Sequence, residues 1–517
     1  MIARQSQSMV RSTLEHCRPA IDLKPLGVLV LAAVLLFGTV SLRGAEYDEQ
    51  YTLLLVAGTP RPAWPEASFT AGSVRQIQAG RSSPAQLIGD LRHTDVHPPL
   101  YFLAALAWHD LLGPGLIRLR ILSVVFGLGA LAMAGWIAGM TRIPPAWAMG
   151  FTLGCYGFAY TAGIARGFAL AQFLGLLGVA LILQAERRQL PVIALAAGLA
   201  LGAATFANYL AVFVAGAALF WLLLAVPRMP RLWLAACLGF AAFVPANLWF
   251  FLAQQGTRTG QFASFDLLHS LTLLARFGAG AVFGGLPLYV GGGARLVVSG
   301  TIGGLLAALS AIVVWRWRHL ADTRRLLAMA AVAPPLGLIL LGLAFDKTPV
   351  ELRYLAFATP FAALLLAGSL ATLPRRTALA VGAVVLTVQA VSLAGLYTRP
   401  ETMQPARATA KAAANAAWPN GVALLPRGND GVGIVGAFAS EAPDWLPMLV
   451  ILRGETASQT RIRAGAYRRV VLALLAQDDD SRATAAEMQS AFARQPCWRF
   501  AASGFNVLAY DRICGED

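Results

Sequence analysis

Long apolar runs separated by short polar clusters fill the first four hundred positions of this 517-residue chain. About 20 apolar residues in a helix, rising about 1.5 Å each, cross the roughly 30 Å of a bilayer's hydrocarbon. Runs of that order recur at 26–42, 117–139, 145–163, 168–184, 190–206, 209–226, 231–252, 295–315, 326–344, 354–373 and 377–396. These are eleven predicted spans. Two shorter stretches, 98–112 and 271–290, read as interfacial or re-entrant helices; if both crossed, the count would be thirteen. The first of them holds Trp108, His109 and Asp110 and opens at Pro98-Pro99, which suits a helix starting at a membrane surface. Pro334-Pro335 should kink the span they occupy. No internal repeat is visible.

Beyond Arg399 the long runs stop. An Ala-rich helix is predicted over 405–418, a buried strand over 470–475 and a second helix over 483–494 with Ser481 as its cap. A terminal hairpin is predicted from 498–501 and 505–510 around Ser503-Gly504. The predicted fold is therefore an all-α polytopic membrane bundle with a small C-terminal α/β domain. It divides into an amino-terminal stretch 1–25, a membrane domain 26–397 with a large first loop at 43–116, and a soluble domain 398–517.

Composition supports this division. Charged residues are 13% and hydrophobic ones 57%, with mean hydropathy +0.62, values that exclude a large soluble enzyme. The net charge of +15 does not indicate nucleic acid, because the arginines are scattered in short clusters between apolar runs. Alternating the spans places Arg142, Arg187-Arg188, Arg228 with Arg231, the group Arg316, Arg318, Arg324 and Arg325, and Arg375-Arg376 on one side, the cytoplasmic side by the positive-inside rule. Thirteen spans would put Arg187-Arg188 and Arg228 outside. Residues 1–25, with Arg4, Arg11, Arg18 and Lys24, then lie inside, and 26–42 is longer than a cleaved signal core, so it reads as an uncleaved anchor. The loop 43–116 and the tail lie outside. Of five cysteines, Cys17, Cys155 and Cys237 sit near the start or in apolar runs; Cys497 and Cys514 share a polar segment and form a disulfide if that segment is extracytoplasmic.

Candidate chemistry gathers on that outer side. Asp48 and Glu49 follow the first span directly, and carboxylates at a bilayer edge face water or a protein cavity because burial in hydrocarbon is costly. Asp48, with Glu49 second, is a candidate general base; the plainer reading is the acidic start of a loop helix. Asp95 and His97 precede a double proline, which holds His97 extended, and Tyr101 follows. They are candidates for ordering an acceptor, against the plainer reading of a surface loop, and two ligand types make no metal set. Arg166, Lys347, Arg353 and Tyr354, with Gln254, Gln255, Arg258, Asp346 and Glu351, occupy outward loops. Arginine beside a membrane cavity suits a phosphate, and snorkelling is the alternative for Arg166 and Arg353.

These residues resemble the GT-C superfamily of membrane glycosyltransferases, in particular the bacterial family 39 group, which includes protein O-mannosyltransferases, the lipid A aminoarabinose transferase and galacturonosyltransferases of lipopolysaccharide. The resemblance rests on Tyr47-Asp48-Glu49, on Asp95-Val96-His97-Pro98-Pro99-Leu100-Tyr101, on Ala165-Arg166-Gly167-Phe168-Ala169-Leu170 and on Arg353-Tyr354-Leu355. It covers about residues 26–370. Where the family often has Arg-Leu-Pro-Ser this chain has Arg120-Ile121-Leu122-Ser123, and Phe168 stands where Tyr is usual. The resemblance implies a polyprenyl-phosphate sugar as donor co-substrate, used at the outer face of a bacterial plasma membrane. It implies Asp48 as base, Arg353 with Lys347 and Arg166 on the phosphate, and inversion at the anomeric carbon; metal dependence varies across the superfamily, and no cofactor or metal is expected here. The acceptor, whether glycan, lipid or protein, is not implied.

Two other classes compete: a polytopic transporter or lipid flippase, which predicts charges near mid-span and paired repeats, and a non-catalytic scaffold, which predicts that Asp48→Asn is silent.

Overall fold

The computed structural model describes residues 23–225, 230–255, 263–320, 323–402, 404–428, 431–452, 454–476 and 478–514. Arg4, Arg11, Arg18 and Cys17 of the amino-terminal stretch, and Arg228 and Arg258 of two loops, lie outside the described residues.

All eleven apolar runs are helical, but they do not all form unbroken helices. Among the described residues six helices are long and apolar enough to cross a membrane: Lys24–Leu42, Leu116–Met140, Phe168–Arg188, Gly292–His319, Arg324–Phe345 and Arg375–Thr398. A seventh is counted if Pro230–Ala241 and Val244–Gln254, which meet at 41°, form one span. The predicted run at 145–163 breaks at Cys155 into Pro145–Gly154 and Tyr156–Ala162. The run at 354–373 opens as a 3₁₀ segment, Leu352–Phe357, before Thr359–Ala371. The second break carries Arg353 and Tyr354. Pro334 and Pro335 sit inside one continuous helix. The two shorter stretches form Leu100–Leu112, whose N-cap is Pro99, and Leu267–Phe283.

Small residues set the closest helix crossing. Ala194, Gly198 and Gly202 recur every fourth residue on Pro191–Ala207 and meet Pro230–Ala241, where a Cβ on Gly198 would lie 1.9 Å from the Ala236 carbonyl oxygen and one on Gly239 would lie 2.3 Å from that of Leu195. Backbones can approach this closely only where side chains are absent, the small-xxx-small solution of membrane helices.

The soluble domain is built on a six-stranded sheet in the order β1-β3-β2-β4-β6-β5, with β1 Phe69–Thr70, β2 Gly421–Pro426, β3 Pro447–Ile451, β4 Arg469–Ala473, β5 Trp498–Gly504 and β6 Val507–Arg512. β3, β2 and β4 are parallel and the outer pairs antiparallel. Every residue of β2 is buried, as expected of a central parallel strand covered on both faces. Helices Ala406–Ala417 and Gly433–Glu441 pack on one face, Ala457–Ala464 and Asp479–Ala493 on the other. β1 comes from the first loop and adds to the edge of this sheet beside β3, so the loop and the tail share one sheet.

Local details differ from the sequence reading for identifiable reasons. The last helix is capped by Asp478, whose carboxylate accepts from the Ser481 N–H at 2.7 Å; Ser481 is the reciprocal partner inside the first turn. The hairpin turns at Phe505-Asn506, because Asn506 takes the left-handed conformation, φ 51°, that asparagine tolerates, and Ser503 and Gly504 stay in the strand. Cys497 and Cys514 are bonded, with Cα atoms 5.0 Å apart.

Candidate active site

The first span ends at Leu42, and the chain turns at once into the helix Tyr47–Val56, whose N-cap is Glu46. The Glu46 N–H donates to Glu49 Oε2 at 3.0 Å, which ties the first turn together. Adjacent helical positions point about 100° apart. Asp48 and Glu49 therefore meet different surroundings.

Glu49 is fully buried. Arg120 gives it two parallel hydrogen bonds, Nε to Oε1 at 2.8 Å and Nη2 to Oε2 at 2.6 Å, and the Ala165 N–H donates to Oε1 at 3.0 Å. Arg120 spends its other donors on the carbonyls of Val40, Arg43 and Gly44, at 2.9, 3.0 and 2.7 Å. Burial alone would raise the Glu49 carboxyl, but Arg120, Arg43 and the Ala165 amide outweigh it and hold the group below its ordinary value. Glu49 is thus an ionised tie between the end of the first span, the helix Leu116–Met140 and the loop at Ala165. The motif Arg120-Ile121-Leu122-Ser123 serves both outer residues: Ser123 Oγ pairs with the Tyr101 hydroxyl at 2.9 Å.

Asp48 faces a cavity of about 610 Å³. Its carboxylate is paired with Arg353 Nη1. Arg353, on the 3₁₀ segment, also reaches Glu351 Oε2 with Nη2 at 2.6 Å and stands 4.0 Å from Glu46 Oε1. His97, Lys347 and Tyr354 line the same cavity. Tyr354 stacks near Phe168, centroids 6.5 Å apart. The ionisable lining groups all come from loops or helix ends, whereas Phe213, Phe240, Leu248, Phe251, Leu338 and Leu341 are presented from the sides of helices. One charged end and a long apolar wall result.

Asp95 and Arg166 are buried behind His97. His97 Nδ1 lies 2.6 Å from Asp95 Oδ1 and 2.9 Å from Arg166 Nη2. Arg166 Nη1 is 3.5 Å from Asp95 Oδ2 and its Nη2 is 3.3 Å from His97 Nε2. The carboxylate and guanidinium orient the imidazole without lining the cavity. Gln254 donates to the carbonyls of Leu91 and His97, both at 2.9 Å, and so pins this loop to the bent helix pair.

Of the residues singled out from the sequence, Asp48, His97, Lys347, Arg353 and Tyr354 are brought to one cavity. Glu49, Asp95 and Arg166 support it from behind. Tyr101 is fully buried, bonded to Ser123, and does not line the cavity. Sequence reading missed Glu46, Arg43 and Gln404. Glu46 accepts from the Tyr160 hydroxyl, from Gln404 Nε2 at 3.1 Å and from Arg43 Nη2 at 3.4 Å. Its only sequence signal was its place three residues before Glu49, a helix-start spacing. Among the described residues no three His, Cys, Asp or Glu side chains gather as a metal site.

The chain has the fold of two crystal structures of ArnT from Cupriavidus metallidurans, one bound to undecaprenyl phosphate and one in the apo state. In each case the TM-score is 0.50 with 14% sequence identity over 94% of this chain and 97% of that chain. At this identity the likeness is one of fold. No protein-family model and no curated protein sequence matches this chain.

Proposed function

We propose that this protein is a multi-pass membrane glycosyltransferase that moves a sugar from a polyprenyl-phosphate donor to a lipid, polysaccharide or protein acceptor. The observation that carries the reading is the Asp48–Arg353 pair in a cavity whose lining is mainly apolar. The ArnT structure of the same fold that was solved with undecaprenyl phosphate supports a donor of that chemistry.

The cavity's parts then have distinct tasks. Its apolar wall takes the polyprenyl chain, which passes there from the equally apolar bilayer interior. Arg353 and Lys347 hold the phosphate. Asp48 accepts the proton of the acceptor hydroxyl as its oxygen attacks the anomeric carbon; the bond from that carbon to the phosphate oxygen breaks, and the polyprenyl phosphate leaves with its charge against the two cations. One displacement inverts the anomeric centre. No residue here is asked to bind a metal. The bundle's orientation follows the arginine distribution, with eleven spans and with the site and the soluble domain on the extracytoplasmic face of the plasma membrane.

The test is purified full-length protein with radiolabelled polyprenyl-phosphate sugars and envelope extracts as acceptor source, wild type against Asp48→Asn. Transfer by the wild type and its loss in the variant, with donor binding retained, is the expected result; equal turnover removes Asp48 from the mechanism.

A further inference from the structure

The two groups the reaction needs separately are paired in the structure: Arg353 Nη1 is bonded to the Asp48 carboxylate. A carboxylate held by a guanidinium is a weaker base. Turnover therefore requires the pair to open, which leaves the Nη1 group to take another acceptor.

Glu46 supplies one. Its Oε1 stands 4.0 Å from the same Nη1, so a displacement of about 1 Å brings the two to hydrogen-bond distance. Glu351, on Nη2 at 2.6 Å, serves as the pivot that keeps the guanidinium in place while Nη1 turns. Glu46 is not free to follow Arg353 instead, because three groups from three other parts of the chain fix its carboxylate: the Tyr160 hydroxyl, Arg43 Nη2 and Gln404 Nε2. Gln404 matters most for placement. It is 2% exposed, donates to Glu46 Oε2 and accepts from Arg43 Nε at 3.4 Å, and it stands where the chain enters the soluble domain, two residues before the helix Ala406–Ala417. That helix in turn grips the end of the first span, Arg407 donating to the carbonyls of Ser41 and Leu42 at 3.0 and 2.9 Å.

We propose that Glu46 is a positioning residue that receives the Arg353 guanidinium when Asp48 is released to act as base, and that Gln404 lets the soluble domain hold Glu46 in place for this exchange. The proposal rests on the reading of Asp48 as base, and it gives the soluble domain a part in turnover whatever the acceptor is.

The test is a double-mutant cycle on the full-length protein in the polyprenyl-phosphate-sugar assay, with Glu46→Gln, Arg353→Lys and the two combined, beside Asp48→Asn. Glu46→Gln should lower kcat about tenfold while KM for the donor stays within about twofold, and in the Arg353→Lys background it should cost almost nothing further, because its effect runs through the guanidinium. Gln404→Leu, which leaves the acid in place, should lower kcat in the same direction by a smaller factor with a melting temperature lowered by only a few degrees, and it provides the readout if Glu46→Gln fails to fold. Full kcat in both variants, or an equal cost of Glu46→Gln in the two backgrounds, overturns the exchange while an inactive Asp48→Asn leaves the base standing. An active Asp48→Asn removes both.

Discussion

Arg120 and Glu49 face each other through two parallel hydrogen bonds, both side chains almost wholly buried. This contact turns one carboxylate of the Asp48-Glu49 pair away from the cavity and leaves the other facing it. The two acids are neighbours in sequence, yet one is a buried strut and the other faces the cavity.

Removing one partner of that contact leaves an uncompensated buried charge, which costs about 3–5 kcal/mol. Arg120→Ala should therefore lose most of its folded yield in detergent, while Glu49→Gln, which keeps the shape and can still accept, should lose less. Thermal melts of the purified proteins check the order.

The same acid makes a pH prediction. The Glu49 carboxyl is held below its ordinary value in the folded protein, so its contribution to stability is fully present above the unfolded carboxylate pKa of about 4.3. That contribution is lost as pH falls through the lower folded value. Melting temperature in acidic buffers should drop more steeply for wild type than for Glu49→Gln, and parallel curves would remove Glu49 from the acid sensitivity.

Arg353→Ala should weaken donor binding by at least tenfold while lowering the melting temperature by only a few degrees, since the side chain lines a cavity rather than a core. Titration with polyprenyl phosphate reads the first and a thermal melt the second. Unchanged affinity counts against the phosphate role.

A methyl group at Gly198 has no room, so Gly198→Ala should cost about 1–3 kcal/mol by forcing the two helices apart. Gly216→Ala, where a Cβ would meet nothing within 4 Å, is the control and should be neutral.

Opening the Cys497–Cys514 bond frees a segment with a sequence separation of 17, worth about 3 kcal/mol on the loop-entropy argument. Cys514→Ser should lower the soluble domain's melting temperature and abolish its dependence on reductant. Reporter fusions at Arg188 and at residue 400 should read inside and outside; an outside signal at Arg188 favours the thirteen-span arrangement.

The membrane helices and the terminal domain were legible because hydrocarbon thickness and strand periodicity impose length and alternation on any sequence that meets them. The positions of Asp48, His97, Lys347, Arg353 and Tyr354 at one cavity were legible only through the motif resemblance, since their separations along the chain say nothing about distance in space. What composition and pattern determined was which segments leave water and which stay in it. What the tertiary structure alone decided was the use of each charge: Glu49 consumed by Arg120, Tyr101 absorbed by Ser123, Glu46 set beside Arg353 by a glutamine 358 residues away. Burial makes a charge costly until a specific partner arrives, and partners drawn from distant segments exist only after the chain has packed.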